Sequence, residues 1–134
     1  MEHQFENHHA KVLVVDDDEA IRAMVSKMLE RNDFDVTTAE NGFEAIERID
    51  ESKFDVILLD LMMPRIDGYG VLQHLRRKDP ENLENVIVMT AMPSHKLDRT
   101  VGRVLMKPFD LSVLLRTARD FAKREHRLRP GKTG

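Results

Sequence analysis

Three apolar runs in this chain show no polar alternation: Lys11-Val12-Leu13-Val14-Val15, Asp55-Val56-Ile57-Leu58-Leu59 and Val86-Ile87-Val88-Met89. A strand with one wet face alternates apolar and polar residues, so β-branched runs without alternation require cover on both faces. That condition is met by parallel strands, whose crossover connections carry helices onto the two sides of the sheet. The intervening segments have the right periodicity. Ile21, Met24, Val25, Met28 and Leu29 share one helical face; Asn41-Gly42 turns into a helix carrying Ala45, Ile46 and Ile49; and 68–78 places Val71, Leu72 and Leu75 inward. Phe34 to Thr38 reads as a short second strand and Arg103 to Met106 as a short fifth. A last helix carries Leu111, Leu114, Leu115, Ala118 and Ala122 and is expected to stop near Arg127, before Pro130-Gly131. Strand then helix, repeated, predicts an α/β fold: a doubly wound, five-stranded parallel sheet in the order 2-1-3-4-5, with helices on both faces.

The 134 residues suit one domain, expected over 10–127, with a flexible leader at 1–9 and a disordered tail at 128–134. Too few residues follow the last helix for a second domain. Without cysteine the chain has neither disulfides nor a thiolate metal site. No apolar run approaches bilayer length, and the start MEHQFENHHAK lacks the order of a signal peptide, so the expected location is cytoplasmic, with no membrane partner. His3, His8 and His9 in that leader read as solvated. From Arg116 to Gly134 seven Lys or Arg face two acids, although the whole chain carries −3. This basic end reads as a solvated helix face and tail. It contains no recognisable nucleic-acid-reading motif, so direct nucleic-acid binding is not expected.

The chemistry collects where the strands end. In an open parallel sheet ligands bind outside the carboxyl ends of the strands, at the reversal of strand order. Asp16-Asp17-Asp18-Glu19 follow the first strand, Asp60 the third, Thr90 the fourth and Lys107-Pro108 the fifth. Strands one and three should be neighbours, which brings Asp16 and Asp17 close to Asp60. Such carboxylates repel, and a hard divalent cation such as Mg²⁺, which joins carboxylates to phosphates, relieves them. A lysine and a hydroxyl at the rim suit phosphoryl oxygens, and an aspartate can itself be the nucleophile. Asp18 and Glu19 read as helix N-terminal acids, and Asp67-Gly68 as a turn or cap.

Taken in order, VLVVDDDEAIR at 12–22, DVILLDLMMPRIDG at 55–68, MTA at 89–91 and KPF at 107–109 resemble the receiver domain of two-component response regulators, over roughly Ala10 to Arg127. The resemblance implies a flavodoxin-like fold and a stand-alone, single-domain receiver. It makes Asp60 the phosphoacceptor. Asp17 and Asp60 would ligate Mg²⁺ by their side chains, Met62 by its backbone carbonyl and Asp16 through water. Thr90 would bond a phosphoryl oxygen, Lys107 would pair with the phosphate, and Pro108 would support the lysine loop. A sensor histidine kinase or histidine phosphotransfer protein would supply the phosphoryl group, and an unknown downstream protein would read the result. No outside substrate would be turned over.

Two departures stand out. Three residues before Lys107, where many receivers carry an aromatic ring that follows the threonine, stands Val104. The stretch from Thr90 to Lys107 is short and interrupted by Pro93, so the fourth helix is expected to be short or irregular, with phosphorylation ordering or shifting Met92 to Gly102. Competing functions fare worse. A receiver-like module independent of phosphate would not need the acid pair, acceptor, threonine and lysine together. An aspartyl phosphohydrolase would want a second acid two residues past the nucleophile, where Met62 stands, and neither a flavodoxin-type phosphate loop nor a Walker loop is present.

Overall fold

A computed structural model describes residues 9–63, 67–78, 80–91, 101–107 and 109–133, with side chains through 123. Five parallel strands, β1 (Lys11–Val15), β2 (Asp35–Ala39), β3 (Val56–Asp60), β4 (Val86–Thr90) and β5 (Arg103–Met106), form one sheet in the order β2-β1-β3-β4-β5. The helices are α1 (Glu19–Glu30), α2 (Gly42–Glu51), α3 (Gly68–Lys78) and α4 (Leu111–Thr133). This is the expected doubly wound, flavodoxin-like architecture.

The unbroken apolar runs are explained by two cores, one on each side of the sheet. Leu13, Val15, Ile57, Leu59, Val86 and Val88 face Ala45 and Ile49 of α2 and Val71, Leu72 and Leu75 of α3. Their alternate neighbours Val12, Val14, Val56, Leu58, Ile87 and Met89 face Val25 and Leu29 of α1 and Leu114, Ala118 and Phe121 of α4. Each fully buried aliphatic side chain contributes about 1.5–3 kcal/mol, so these runs fix both the sheet and its register.

The helix starts are written locally. Asp18 caps α1, its carboxylate accepting from the Ala20 and Ile21 amides at 2.9 and 3.1 Å, and Glu19 lies in the first turn, as read from sequence. Asn41 caps α2, and Asp67 caps α3 by accepting from the Gly70 amide at 3.1 Å. Asp110, not singled out above, performs the same service for α4 through the Ser112 amide and hydroxyl, both at 2.8 Å.

Some boundaries differ from expectation. Asp60 and Thr90 are the last residues of β3 and β4 rather than the first past them, because their backbones still pair, Asp60 with Met89 and Thr90 with Met106. The ladder depends on the main chain and does not register that a side chain has turned polar. Helix α4 runs to Thr133, past the end expected near Arg127 and through most of 128–134, read from sequence as a disordered tail. A proline removes one hydrogen bond and crowds one carbonyl, which weakens a long, already propagated helix without forbidding it. A 3₁₀ segment, Pro80–Asn85, was not foreseen; its buried Leu83 anchors an otherwise polar stretch. Residues 1–8 of the leader expected at 1–9, Pro108 and the expected fourth helix within 92–100 lie outside the described residues. Among the described residues no helix is long and apolar enough to cross a membrane.

Candidate functional site at the carboxyl edge of the sheet

Neighbouring β1 and β3 bring their acids together. Carboxylate oxygens of Asp16, Asp17 and Asp60 all lie within 4.8 Å of one another, with Asp16 and Asp60 buried and Asp17 exposed. Every polar atom of Asp16 is engaged. Its amide donates to the Ala39 carbonyl (3.2 Å), its carbonyl accepts from Arg22 Nη1 (2.8 Å), Oδ1 accepts from the Asp18 amide (2.9 Å) and Oδ2 from Lys107 Nζ (3.1 Å). Asp60 Oδ1 accepts from the Met62 amide at 3.1 Å, and Oδ2 lies 3.5 Å from Lys107 Nζ.

Lys107 reaches this cluster from just beyond β5. Its amide donates to the Thr90 carbonyl at 2.7 Å, which ties the lysine turn to the end of β4. Thr90 itself is fully buried. Val104 occupies the position on β5 read from sequence and packs, with Tyr69, against the core on the α2–α3 side. The Met62 side chain stands 61% exposed beside the acids, so the open face of the site is bordered by a thioether. Next to Lys107 a cleft of about 440 Å³ is lined by Ile21, Met24, Ala91 and Phe109.

The electrostatics follow from this crowding. Burial, and after it the nearby Asp16 charge, push the Asp60 carboxyl up to about 6, against the pull of the Met62 amide and Lys107. Burial alone would depress the Lys107 ammonium. Its hydrogen bond and charge contact with Asp16, with Asp60 behind, outweigh that and hold it above the ordinary lysine value. Oxygen donors in this number, with an aspartate that resists ionisation until its charge is compensated, fit a hard divalent cation.

Gly68 carries a constraint that its reading as a turn residue missed. A Cβ there would stand 2.6 Å from both the Asp60 carbonyl oxygen and the Leu61 Cα, and its amide donates to the Leu61 carbonyl at 3.0 Å. The start of α3 is thus pressed against the backbone of the central acid, and its position requires close approach rather than an unusual φ. Arg22, also overlooked, was hidden because its helical position reads as ordinary exposed surface.

A doubly wound sheet with three carboxylates and a lysine at its carboxyl edge defines a class of acidic, phosphate-compatible sites, and the comparisons narrow it. The family model described as response regulator receiver domain matches residues 12–119. This chain belongs to that family, whose members serve in two-component systems. It is 38% identical over 92 residues to the alkaline phosphatase synthesis transcriptional regulatory protein PhoP of Bacillus subtilis, covering 69% of this chain and 37% of that protein. It is 37% identical over 119 residues to the response regulator MprA of Mycobacterium ulcerans, covering 85% and 50%. The chain therefore spans half or less of the length of these curated relatives. Among solved structures, the Francisella response regulator 1452 receiver domain superposes with a TM-score of 0.80 at 34% identity, over 87% of this chain and 99% of that one. The Thermotoga maritima response regulator TrrA, in complex with Mg²⁺-BeF, gives 0.73 at 28%, over 84% and 98%. PhoP is by name a transcriptional regulator, so the relatives give no support to the expectation that nucleic acid is not a partner.

Proposed function

We propose that this chain is a phosphorylatable receiver that accepts a phosphoryl group on Asp60 from a phosphohistidine, supplied by a sensor histidine kinase or a histidine phosphotransfer protein. The carrying observation is the convergence of three carboxylates within 4.8 Å with Lys107 Nζ at 3.1 Å from Asp16 and 3.5 Å from Asp60. Asp60 Oδ1 is held by the Met62 amide, which leaves Oδ2, on the lysine side, to attack phosphorus. The new O–P bond forms as the P–N bond breaks, and its electron pair returns to the donor imidazole.

Asp17 and Asp60, with the Met62 carbonyl and with Asp16 acting through water, would hold Mg²⁺. When bound, the ion neutralises charge shared by the carboxylates and the incoming phosphoryl oxygens. Lys107 then exchanges a carboxylate for a phosphoryl oxygen, and the Thr90 hydroxyl donates to another. The output is altered contact with a downstream protein, and no outside substrate is turned over. The presence of an Mg²⁺-BeF complex in the related TrrA supports this reading.

The test is intact-mass measurement after incubation with a small phosphodonor. One added phosphoryl group is expected, only with Mg²⁺, and none in Asp60→Asn. Undiminished labelling of that variant defeats the assignment.

A further inference from the structure

We propose that Arg22 is a positioning residue that holds the acidic loop between β1 and α1 in the geometry that receives the divalent cation; the proposal rests on the phosphoacceptor reading above. The loop supplies two of the three carboxylates, and its backbone leaves the sheet just before them. The β1 ladder ends with Val15, paired to Ala39 on one side and Leu59 on the other. The Asp16 carbonyl therefore stands outside that register, and it accepts from Arg22 Nη1 at 2.8 Å.

The geometry shows why the contact controls position. Arg22 lies in the opening turns of α1, with its own amide bonded to the Asp18 carbonyl at 2.9 Å. Helical side chains lean toward the N-terminus, so its stem returns over the loop that precedes the helix. Its other terminal nitrogen, Nη2, lies 4.0 Å from Glu40 Oε2, just past β2. The Glu40 backbone is held, since its amide donates to Glu44 Oε1 at 2.9 Å across the start of α2. Its carboxylate is 60% exposed, so the Asp16 carbonyl is the firmer of the two contacts. One guanidinium thus spans the loops after two adjacent strands. Its side chain is only 17% exposed, and a fork so nearly covered is held in one orientation rather than swinging in solvent.

Charge and position make opposite predictions. A cation bonded to the acidic loop competes with a divalent ion, so on charge alone removing Arg22 tightens metal binding. If Arg22 fixes the loop, removing it lets Asp16 and Asp17 drift, and affinity falls. Partners behind metal ligands typically change affinity about 10–100-fold when lost, and the low end of that range outweighs a few-fold gain from charge.

The test is Mg²⁺ titration of the full chain by calorimetry, with metal-free thermal unfolding in parallel. Arg22→Met keeps the stem but loses donor and charge, and its Mg²⁺ Kd should rise about tenfold. Arg22→Lys keeps the charge but cannot reach the Asp16 carbonyl and Glu40 together, and should weaken binding by less than Arg22→Met does. An Arg22→Met affinity equal to or tighter than wild type overturns the proposal, as does a lowered melting temperature with Kd unchanged. Should Arg22→Met not fold, Arg22→Lys decides alone, and a wild-type Kd there overturns it. Failure of the wild type itself to bind Mg²⁺ defeats instead the functional reading beneath it.

Discussion

Replacing the central acid by its neutral isostere should make the metal-free protein more stable. The Asp60 carboxyl is pushed from 3.8 to about 6 by burial and by Asp16. Because the folded value lies above the unfolded one, ionisation opposes folding. The associated stability is complete below about pH 4 and is lost as pH rises through 6. At about 1.4 kcal/mol per tenfold change in proton affinity, the ceiling on this penalty at neutral pH is about 3 kcal/mol. Asp60→Asn removes it and keeps an oxygen for the Met62 amide, and the 3.5 Å attraction to Lys107 that is lost with the charge is already contained in the value of about 6. Solvent screening lowers the ceiling, which leaves a gain of roughly 1–3 kcal/mol. For a chain of this size that corresponds to about 3–12 °C in melting temperature. The assay is thermal or urea unfolding in chelator at pH 7.5 and again at pH 4. The variant should be the more stable at pH 7.5, and the difference should close at pH 4. A variant equal to or less stable than wild type at pH 7.5, or a pH-independent gap, refutes the electrostatic reasoning.

Three further outcomes are expected. At Gly102 a Cβ would meet the Glu84 carbonyl oxygen at 2.3 Å and Phe121 Cε2 at 2.4 Å, so Gly102→Ala should cost about 1–3 kcal/mol in urea unfolding. Asp33, just past α1, adopts a left-handed φ of 71°, and Asp33→Gly should add about 0.5–1 kcal/mol by the same measurement. The exposed thioether of Met62 cannot orient a water in line with phosphorus, so the wild-type phosphoryl group should be long-lived. Met62→Asn should shorten its lifetime several-fold, measured as phosphate release, and an unchanged rate would show that the side chain does not control water.

Most of the fold was legible because its cause is local and repeated. Runs such as Val12 to Val15 and Val56 to Leu59 can be buried on both faces only in a covered parallel sheet, and the apolar spacing of α1 to α3 supplies the cover. The acids were legible because a charge at the end of such a run needs a reason. Residues acting through three-dimensional proximity left no comparable mark. Gly68 looks like any Asp-Gly turn until the Asp60 carbonyl is found against it. Arg22 looks like a solvent-facing helix residue until its fork is found on the Asp16 carbonyl, six positions back. The end of α4 was misread because proline and glycine signal termination only statistically, and a long helix tolerates both.

The central claim, that Asp60 is the acceptor, is tested most directly by reducing the phosphorylated protein with borohydride. An aspartyl phosphate is converted to homoserine, which marks the residue permanently for peptide mass spectrometry. The account predicts homoserine at position 60, formed only after treatment with phosphodonor and Mg²⁺. Homoserine at Asp16 or Asp17, or its absence from a protein that carries phosphate by intact mass, would contradict it.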